Sequence, residues 1–408
     1  MKRILTLILL LLPAGLLWAA QPDSLRLGYA VRGVVVDAAS GRPLESVHVS
    51  IPGRHQATVT NADGAFTLKS DQPIQAVECA YLGYRKQRQV CTDPGPYHIA
   101  LRREALQLSA ATIIASDPYS VVQAAIERIP DSYCTENELL ECFYRETVQK
   151  RSRYTYVAEA VARLYKASYD GSVYRDHAAL QKSRVLVSQR RSDTLSVKTQ
   201  GGPTVAVNCD VVKNARMLFN PEDMALYNLE MAPPTYIGDR LQFVIRMEPA
   251  ALADYALYHG TLYIDRELLC FTRIELSLDM ADRALATRHI LVHKPLGLRF
   301  FPEEVSFVIN YRLSGKTTRM EYFRSTIRFA CDWRKRLIKT RYTTVNELVV
   351  TDLYPEAKPI PRAERFRTQD CLNDKAPEFL DPDFWADYNI IEPSESLEHA
   401  IARLRKGR

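Results

Sequence analysis

Residues 29–102 consist of short apolar runs separated by turn sequences, and this block most restricts what the chain can fold into. Over residues 47–51, valine and isoleucine alternate with His48 and Ser50, which is the pattern of a half-buried strand. Residues 61–64 (Asn-Ala-Asp-Gly) are a tight hairpin signal. About seven such strands in about 75 residues predict two packed β-sheets, a β-sandwich.

The motifs of this block, in their order and spacing, resemble the carboxypeptidase-regulatory-like domain. They are Gly33-Val-Val-Val-Asp37, Ser40-Gly-Arg-Pro-Leu44, Val47-His-Val49, Thr60-Asn-Ala-Asp-Gly-Ala-Phe-Thr-Leu68 and Tyr81-Leu-Gly-Tyr84. The resemblance implies a transthyretin-like (prealbumin-type) β-sandwich over residues 28–103. It implies no peptidase activity, because this domain is the accessory part of carboxypeptidases. The same domain precedes the plug of outer-membrane nutrient transporters in Bacteroides-type bacteria, so the resemblance also implies an envelope protein.

Residues 1–20 have the pattern of a secretory signal peptide. Lys2 and Arg3 precede an apolar run over residues 4–12, and Ala20 offers a small residue for cleavage. The alternative is an uncleaved anchor, but the run is short beside the roughly 20 residues of a membrane-spanning helix. No later segment is apolar enough to span a bilayer as a helix. We therefore expect an exported protein, in the periplasm or associated with the outer membrane.

Charge and cysteine content exclude few classes of protein. The formal net charge is +6 over 408 residues, too small a bias to favour a nucleic-acid partner. The eight cysteines form no CxxC motif, which argues against a redox motif or a zinc knuckle. Disulfides remain open in an exported protein. The local candidates are the pairs Cys79–Cys91 and Cys134–Cys142.

Residues 117–354 are predicted as a larger, mainly antiparallel β domain with short helices. Asp117 caps a helix that Pro118 begins and Pro130 ends. Long alternating strands follow from Leu139 onward, which indicates a sheet with one wet face. Residues 154–165 fit both a strand and a helix.

The strands of this second part resemble the half-barrel of periplasmic lipoprotein carriers. The similar segment is Tyr258-His-Gly-Thr-Leu-Tyr-Ile-Asp-Arg266 followed by Phe271-Thr-Arg-Ile-Glu275. The resemblance implies a curved, half-barrel-like α+β domain. Residues 355–408 are predicted as a strap rich in proline and charge and a last helix, which Ser394 caps.

No metal or cofactor motif is present among the eight histidines. None begins HExxH or has Glu three residues later, as a zinc peptidase needs. His289 and His293 would share one face of the strand expected there, but no carboxylate completes a ligand set. Nucleotide-binding loops are also absent. We therefore predict no metal, no cofactor and no nucleic-acid partner.

Candidate catalytic groups are equally sparse. No GxSxG elbow occurs, and Cys142 and Cys270 lie in apolar strands where burial is the simpler interpretation. The carboxylate pair Glu303–Glu304 is interpreted as a hairpin rim. The pair Asp381 and Asp383 lacks further oxygen ligands for calcium. The sequence thus predicts no catalytic, cofactor-binding or metal-binding residue, and we expect a protein that is not an enzyme.

Tyrosines concentrate in one region and leave a binding role open. They are Tyr144, Tyr154, Tyr156, Tyr165, Tyr169 and Tyr174. Tyrosine suits binding faces, although it is also common in any β-sheet. A curved sheet with an apolar concave face would hold an acyl chain or a peptide. Its ligand-binding residues are unknown from the sequence.

Three functions follow from these observations. The first is a non-catalytic envelope protein that binds or scaffolds, with an envelope protein, lipid or peptide as partner. The second is a hydrolase of peptide or glycan whose groups come from distant strands. The third is a fragment of an outer-membrane transporter. The barrel of such a transporter needs far more residues than this chain contains.

Overall fold

The computed structural model describes residues 28–104, 117–190, 193, 197–215, 219–315, 317–333, 339–376 and 385–406. The fold is mainly β, with a small N-terminal pair of sheets followed by one large curved sheet that does not close into a barrel. This is the fold class that the sequence predicts. The signal-peptide segment, Asp381 and Asp383 lie outside the described residues.

Seven short strands form the N-terminal part. They are β1 Tyr29–Asp37, β2 His48–Ser50, β3 Ala57–Val59, β4 Ala65–Ser70, β5 Ala76–Ala80, β6 Gln87–Val90 and β7 Tyr97–Leu101. Their order is β4-β1-β7 in one sheet and β3-β2-β5-β6 in the other. Val35, Val49, Leu68 and Leu101 meet between the two sheets and are fully buried, so the expected sandwich with its single core is present.

Ten long strands form the second sheet. They are β8 Glu138–Lys150, β9 Arg153–Lys166, β10 His177–Val187, β11 Tyr227–Ile237, β12 Arg240–Pro249, β13 Tyr258–Asp265, β14 Phe271–Leu278, β15 Leu298–Ser314, β16 Thr317–Trp333 and β17 Thr340–Leu353. All neighbours are antiparallel, in the order β10-β9-β8-β17-β16-β15-β14-β13-β12-β11. Residues 154–165, which fit both periods, are strand.

The helices are short. They are α1 Pro118–Glu127, α2 Ile129–Ser132, α3 Gly202–Asn208, α4 Pro221–Met224, α5 Arg283–Ile290, α6 Leu372–Lys375 and α7 Glu395–Lys406, with a 3-10 turn at Val173–Arg175. Asp117 caps α1 as expected, accepting a hydrogen bond from the Ser120 amide at 2.9 Å. Ser394 likewise accepts the amide of Leu397 at the start of α7. None of the helices in the described ranges has the length and apolarity of a membrane-spanning helix.

The concave face of the large sheet is covered by the chain's own helices. Side chains of α1, α3 and α4 pack with the inner-facing residues of the strands in one large apolar core. A buried network then fixes the segment after α3, because Lys166 lies 2.7 Å from Asp210 and 2.8 Å from Asp176. The expected open face for an acyl chain or peptide is therefore filled in this structure.

The outer face of the same sheet carries buried charge under the C-terminal segment. The Glu159 carboxylate accepts hydrogen bonds from Arg145 at 2.9 Å, from Arg184 at 2.9 Å and from the Trp385 indole at 3.0 Å. Burial alone would raise the pKa of Glu159, but the two guanidinium groups hold it below its usual value. Both arginines and the carboxylate stay charged and paired, which is what burial of an ion pair requires.

The sandwich packs on this outer face and is bound to it along its length. Gln56 donates to Asp352 at 2.8 Å, and Arg324 donates to Glu45 at 2.7 Å. The side-chain amide of Asn389 pairs with both backbone groups of Lys69, at 2.7 and 3.0 Å. The molecule thus has three layers: helices, the curved sheet, and the sandwich with the C-terminal segment.

Several local expectations are wrong. His289 lies in α5 and His293 in the loop after it, so the two do not share a strand face. Glu303 and Glu304 lie inside β15 rather than on a hairpin rim. They pair with Arg341 at 3.1 Å and Arg328 at 2.8 Å, because β17 and β16 supply cations there.

All eight cysteines are free thiols in the structure, so neither local disulfide candidate forms. The six clustered tyrosines also divide between different environments. Tyr144, Tyr156 and Tyr169 belong to the concave core, whereas Tyr174 is 79% exposed. They do not form one binding face, because a β-bulge opposite Val148 and Gln149 puts Tyr154 and Tyr156 on opposite sides of the sheet.

Candidate functional site

A cavity of about 260 Å³ lies between the sandwich and the outer face of the large sheet. We call it the interdomain cavity. From the sandwich it is lined by Ser46, His48, Ser50, Glu78, Ala80, Tyr81, Leu82 and Lys86. From the large sheet it is lined by Ile237–Arg240, Gln242, Thr272, Arg273, Asn310–Leu313 and Glu321. Domain interfaces are a preferred place for ligand sites, and this volume suits a small ligand or one end of a longer ligand.

Strand alternation brings His48 to the cavity. Val47 and Val49 point into the sandwich core, so His48 and Ser50 must point outward from β2. The sequence predicts this alternation correctly. The outward face is covered by the second sheet rather than by water, which leaves His48 only 9% exposed.

Two β-bulges aim large-sheet side chains at the same space. The register of β15 with β16 shifts where Tyr311 pairs with Met320 after Asn310 has paired with Tyr322, so Glu321 is an extra residue. The register of β13 with β14 shifts in the same way and leaves Thr272 unpaired. A bulge re-aims the extra side chain, and bulges are common beside functional sites.

His48 and Glu321 meet across the domain boundary beside Arg312. The His48 Nε2 lies 3.2 Å from the Glu321 carboxylate, and the Arg312 Nε lies 3.1 Å from the same oxygen. Burial raises the pKa of Glu321 to about 7, with Arg312 opposing the rise. Burial, helped by the Arg312 charge, lowers the pKa of His48 well below its usual value. The imidazole is therefore neutral at physiological pH.

The charges of the cavity lining nearly balance, and each of its cations has a carboxylate partner, as Lys86 has in Asp239 at 3.3 Å. Four of its side chains are cationic and three are carboxylates, with the cations being Lys86, Arg240, Arg273 and Arg312. Arg240 is paired with Asp265, which lies outside the lining, so its charge is partly balanced there. The remaining guanidinium N–H groups suit a carboxylate or phosphate group, which arginine binds with two parallel hydrogen bonds.

The groups of the cavity do not form a nucleophilic centre. Among the described residues, no serine, threonine or cysteine side chain is hydrogen-bonded to His48, although Ser46 and Ser50 line the same space. Ser46 is instead within 3.1 Å of the Tyr322 hydroxyl. The neutral His48 imidazole contacts a carboxyl group rather than a hydroxyl, so it has no nucleophile to activate.

Thiol and metal chemistry have equally little support in the described ranges. Burial raises the pKa of all eight thiols, to about 11 for Cys270 and Cys331 and to about 12 for Cys79 and Cys209. Thiols with raised pKa are poor nucleophiles at neutral pH. No three His, Cys, Asp or Glu side chains of the described part group closely enough to hold a metal ion.

A second opening lies between α1 and α4. This cleft, which we call the α1–α4 cleft, has a volume of about 540 Å³. Val122, Phe219 and Met224 line it and are themselves buried in the concave core. Asp117 and Glu127 stand at its polar side. The cleft lies beside the edge strand β11, since Tyr119 of α1 donates to the Tyr227 carbonyl at 2.7 Å.

The sequence does not reveal the cavity residues as a group. His48 has a visible signal, its alternation with Val47 and Val49, whereas Glu321 and Thr272 reach the cavity only through bulges that leave no sequence pattern. The two histidines considered for a metal lie elsewhere: His289 contacts the Tyr258 hydroxyl at 2.7 Å, and His293 is exposed.

Residues 31–113 match the family described as the CarboxypepD_reg-like domain. This segment of the chain is a CarboxypepD_reg-like domain. The match confirms the family resemblance of the N-terminal motifs. The CarboxypepD_reg-like domain thus supplies the sandwich wall of the interdomain cavity, including His48 and Lys86. No curated protein matches the chain.

Solved structures similar to the chain share little sequence with it. The MucA/MucB complex of Pseudomonas aeruginosa is 15% identical, with a TM-score of 0.19 over 60% of this chain and 100% of that chain. A LolA superfamily protein from Nitrosomonas europaea is 13% identical, with a TM-score of 0.19 over 59% and 96%. A DUF1329 family protein from Desulfovibrio piger is 8% identical, with a TM-score of 0.22 over 58% and 94%. TM-scores this low assign neither a ligand nor a function to this chain.

Proposed function

We propose that this chain is a non-catalytic, exported envelope protein that binds a small ligand, or one end of a longer ligand, through an anionic group held in the interdomain cavity. The observation that carries the proposal is the convergence of His48, Arg312 and Glu321 from two domains on one cavity. Export is supported by the signal-like pattern of residues 1–20. The absence of a hydroxyl or thiol hydrogen-bonded to His48 in the described part supports binding over catalysis.

The ligand class follows from the charges and the size of the cavity. Arg273 donates to Asn310 at 2.9 Å and to Glu275 at 2.6 Å, which holds its guanidinium plane at the wall. Arg312 contacts Glu321 through Nε, which leaves its terminal nitrogens for a ligand. A carboxylate or phosphate between Arg273 and Arg312 would replace the water that solvates them. A peptide C-terminus and a phosphorylated small molecule both carry such a group.

Calorimetric titration of the full chain tests this site. The ligands are a short peptide with a free C-terminus, its C-terminal amide, and inorganic phosphate. We expect the free peptide or phosphate to bind and the amide to bind at least about tenfold more weakly, since hydrogen bonds to charged groups contribute roughly 1.5–3 kcal/mol. Arg312→Gln should weaken binding about tenfold or more. Arg299→Gln, at the far end of the sheet, is the matched control.

The outcomes separate clearly. Equal affinity for the free peptide and its amide, or binding that Arg312→Gln leaves unchanged, would show that the cavity is not an anion site. Mass spectrometry of small molecules released from the purified protein would identify the natural ligand independently.

A lipid or peptide held by the half-barrel is the second candidate, and the α1–α4 cleft is the observation that favours it. Its floor of Val122, Phe219 and Met224 continues into the concave core, so an acyl chain would enter where α1 meets β11. Displacement of a fluorescent fatty acid measures this. Ala225→Trp at the mouth should abolish displacement, whereas Ala281→Trp, exposed near α5, should leave it unchanged.

Hydrolysis is the remaining alternative, because His48 and Glu321 lie within hydrogen-bond distance in a cavity. Assays with peptide and glycan substrates should give equal, background rates for the wild-type protein and His48→Ala. A rate that His48→Ala removes would replace the binding proposal by a catalytic one.

A further inference from the structure

At one end of the large sheet lies a segment that contains cationic and apolar residues but no carboxylate. Between residues 283 and 302 the chain contains Arg283, Arg288, Lys294 and Arg299 and no Asp or Glu. This stretch comprises α5, the loop after it and the start of β15. The segment itself is therefore basic, and the carboxylates Asp282 and Glu303 flank it directly.

The loop in this segment exposes two apolar side chains almost completely. Leu296 is 99% exposed and Val292 is 65% exposed. Single exposed apolar residues are normal on protein surfaces. Here two of them stand on one short loop with His293 and Lys294 between them, a combination of apolar and basic side chains that suits a membrane interface.

The carboxylates nearest to the segment are already engaged by the fold. Asp282 caps α5 by accepting the amides of Ala284 and Leu285 at 2.8 and 3.0 Å. Asp332 forms an ion pair with Arg299. The cations Arg283, Arg288 and Lys294 are thus free of carboxylate partners among the described residues.

The neighbouring strands add to the same surface. Lys339 lies over the Phe301 ring at 3.8 Å, whereas the charge of Arg341 at the start of β17 is balanced by Glu303 at 3.1 Å. The loop between β12 and β13 lies at this end too, because Tyr258 pairs with Leu278 across β13 and β14. Its Leu252 is fully exposed, which adds a third apolar tip.

We propose that the surface formed by residues 283–299 and Lys339 docks onto an anionic phospholipid bilayer, with Val292 and Leu296 entering the headgroup layer. The occupant follows from charge complementarity, since an anionic headgroup layer attracts adjacent cations and accepts small apolar tips between its acyl chains. The interdomain cavity lies at the opposite end of the same strands, beside the β11–β12 turn. Docking therefore leaves the cavity facing away from the bilayer.

Co-sedimentation of the full chain with vesicles tests the proposal. The vesicles are phosphatidylcholine alone and phosphatidylcholine with one quarter phosphatidylglycerol. The protein should sediment only with the anionic vesicles. Raising the ionic strength until the Debye length has fallen to about 3 Å should release it. Arg288→Gln with Lys294→Gln should weaken binding roughly 25-fold, because each basic residue near an anionic surface contributes about 1 kcal/mol.

Val292→Ser with Leu296→Ser should weaken binding roughly tenfold or more. The matched controls lie in the sandwich: Arg42→Gln with Arg88→Gln for charge, and Val90→Ser, 63% exposed, for apolarity. Equal sedimentation of all variants would overturn the proposal. So would failure of the wild-type protein to bind anionic vesicles, which would leave this surface to a protein partner.

Discussion

Burial raises the pKa of three glutamates, Glu141, Glu146 and Glu321, to about 7. Of these, Glu146 is the simplest to interpret, because its hydrogen-bond partners are uncharged. It lies in the concave core and accepts hydrogen bonds from the hydroxyls of Tyr144 at 3.1 Å and Tyr156 at 3.0 Å. These two bonds favour the carboxylate, but the loss of water around the buried carboxyl outweighs them.

Glu146 should make stability depend on pH in a predictable direction. Between pH 4.5 and about 7 the folded protein keeps a proton that the unfolded chain releases. The stabilisation from this group is therefore complete below pH 4.5 and lost as pH rises through 7. Glu146→Gln removes this dependence. The free energy of unfolding of the variant, relative to wild type, should increase by about 3 kcal/mol from pH 4.5 to pH 8.

Urea unfolding at pH 4.5, 6 and 8 measures this difference. Glu230→Gln, on the exposed face of β11, is the control and should show no such change. A difference between Glu146→Gln and wild type that stays constant across these pH values would contradict the raised pKa.

At the scale of elements, the two edges of the ten-stranded sheet are protected in different ways. The backbone of Phe366 pairs with Ala178 and so covers part of β10. The other edge, β11, contains Pro233 and Pro234, where its register with β12 shifts. Proline has no N–H to offer to another strand, and an uncovered edge is a template for self-association.

Replacing the two edge prolines should therefore promote self-association. Pro233→Val with Pro234→Thr restores two backbone N–H donors and β-branched residues on the edge. Light scattering after size-exclusion chromatography should show a mass that rises with protein concentration more steeply than for wild type. Pro361→Ala in the exposed strap is the control. If the edge variant and the control behave alike, the prolines do not protect this edge.

Most elements can be predicted from the sequence where a local period or cap marks them, but α5 cannot, because a strand is expected around His289 and His293. The caps Asp117 and Ser394, the alternation around His48, and the strands at 258–278 are all where their patterns predict. The strand-or-helix ambiguity at 154–165 is resolved by tertiary pairing, because β9 lies between β8 and β10 and is buried on both faces.

At the scale of the whole molecule, sequence reasoning fails where distant segments meet. His48 and Glu321 are far apart in the chain, and nothing in either pattern predicts their contact. The partners of Glu159 lie on β8, β10 and the C-terminal segment. Nothing in the sequence around Glu159 therefore distinguishes it from an ordinary strand residue. The cavity is a property of the docked domains, and periodicity within one element carries no information about docking.

The docked arrangement implies that the sandwich and the half-barrel unfold together. The interface joins them through Gln56 with Asp352 and through the Asn389 amide with the Lys69 backbone. Calorimetry of the wild-type protein should therefore show one cooperative transition. Gln56→Ala with Asn389→Ala removes one hydrogen bond from the sandwich to the large sheet and two from the sandwich to the C-terminal segment, without replacing a residue of either apolar core.

This double variant should unfold in two steps, because each part keeps its own apolar core. The enthalpy of the earlier step should be about 50 kcal/mol, the value for a sandwich of about 75 residues at roughly 0.7 kcal/mol per residue. Gln123→Ala with Asn373→Ala, two partly or fully exposed amides away from the interface, should retain one transition. Two transitions in the wild-type protein would mean that the interface couples the parts too weakly to hold the interdomain cavity, and the binding proposal would lose its structural basis.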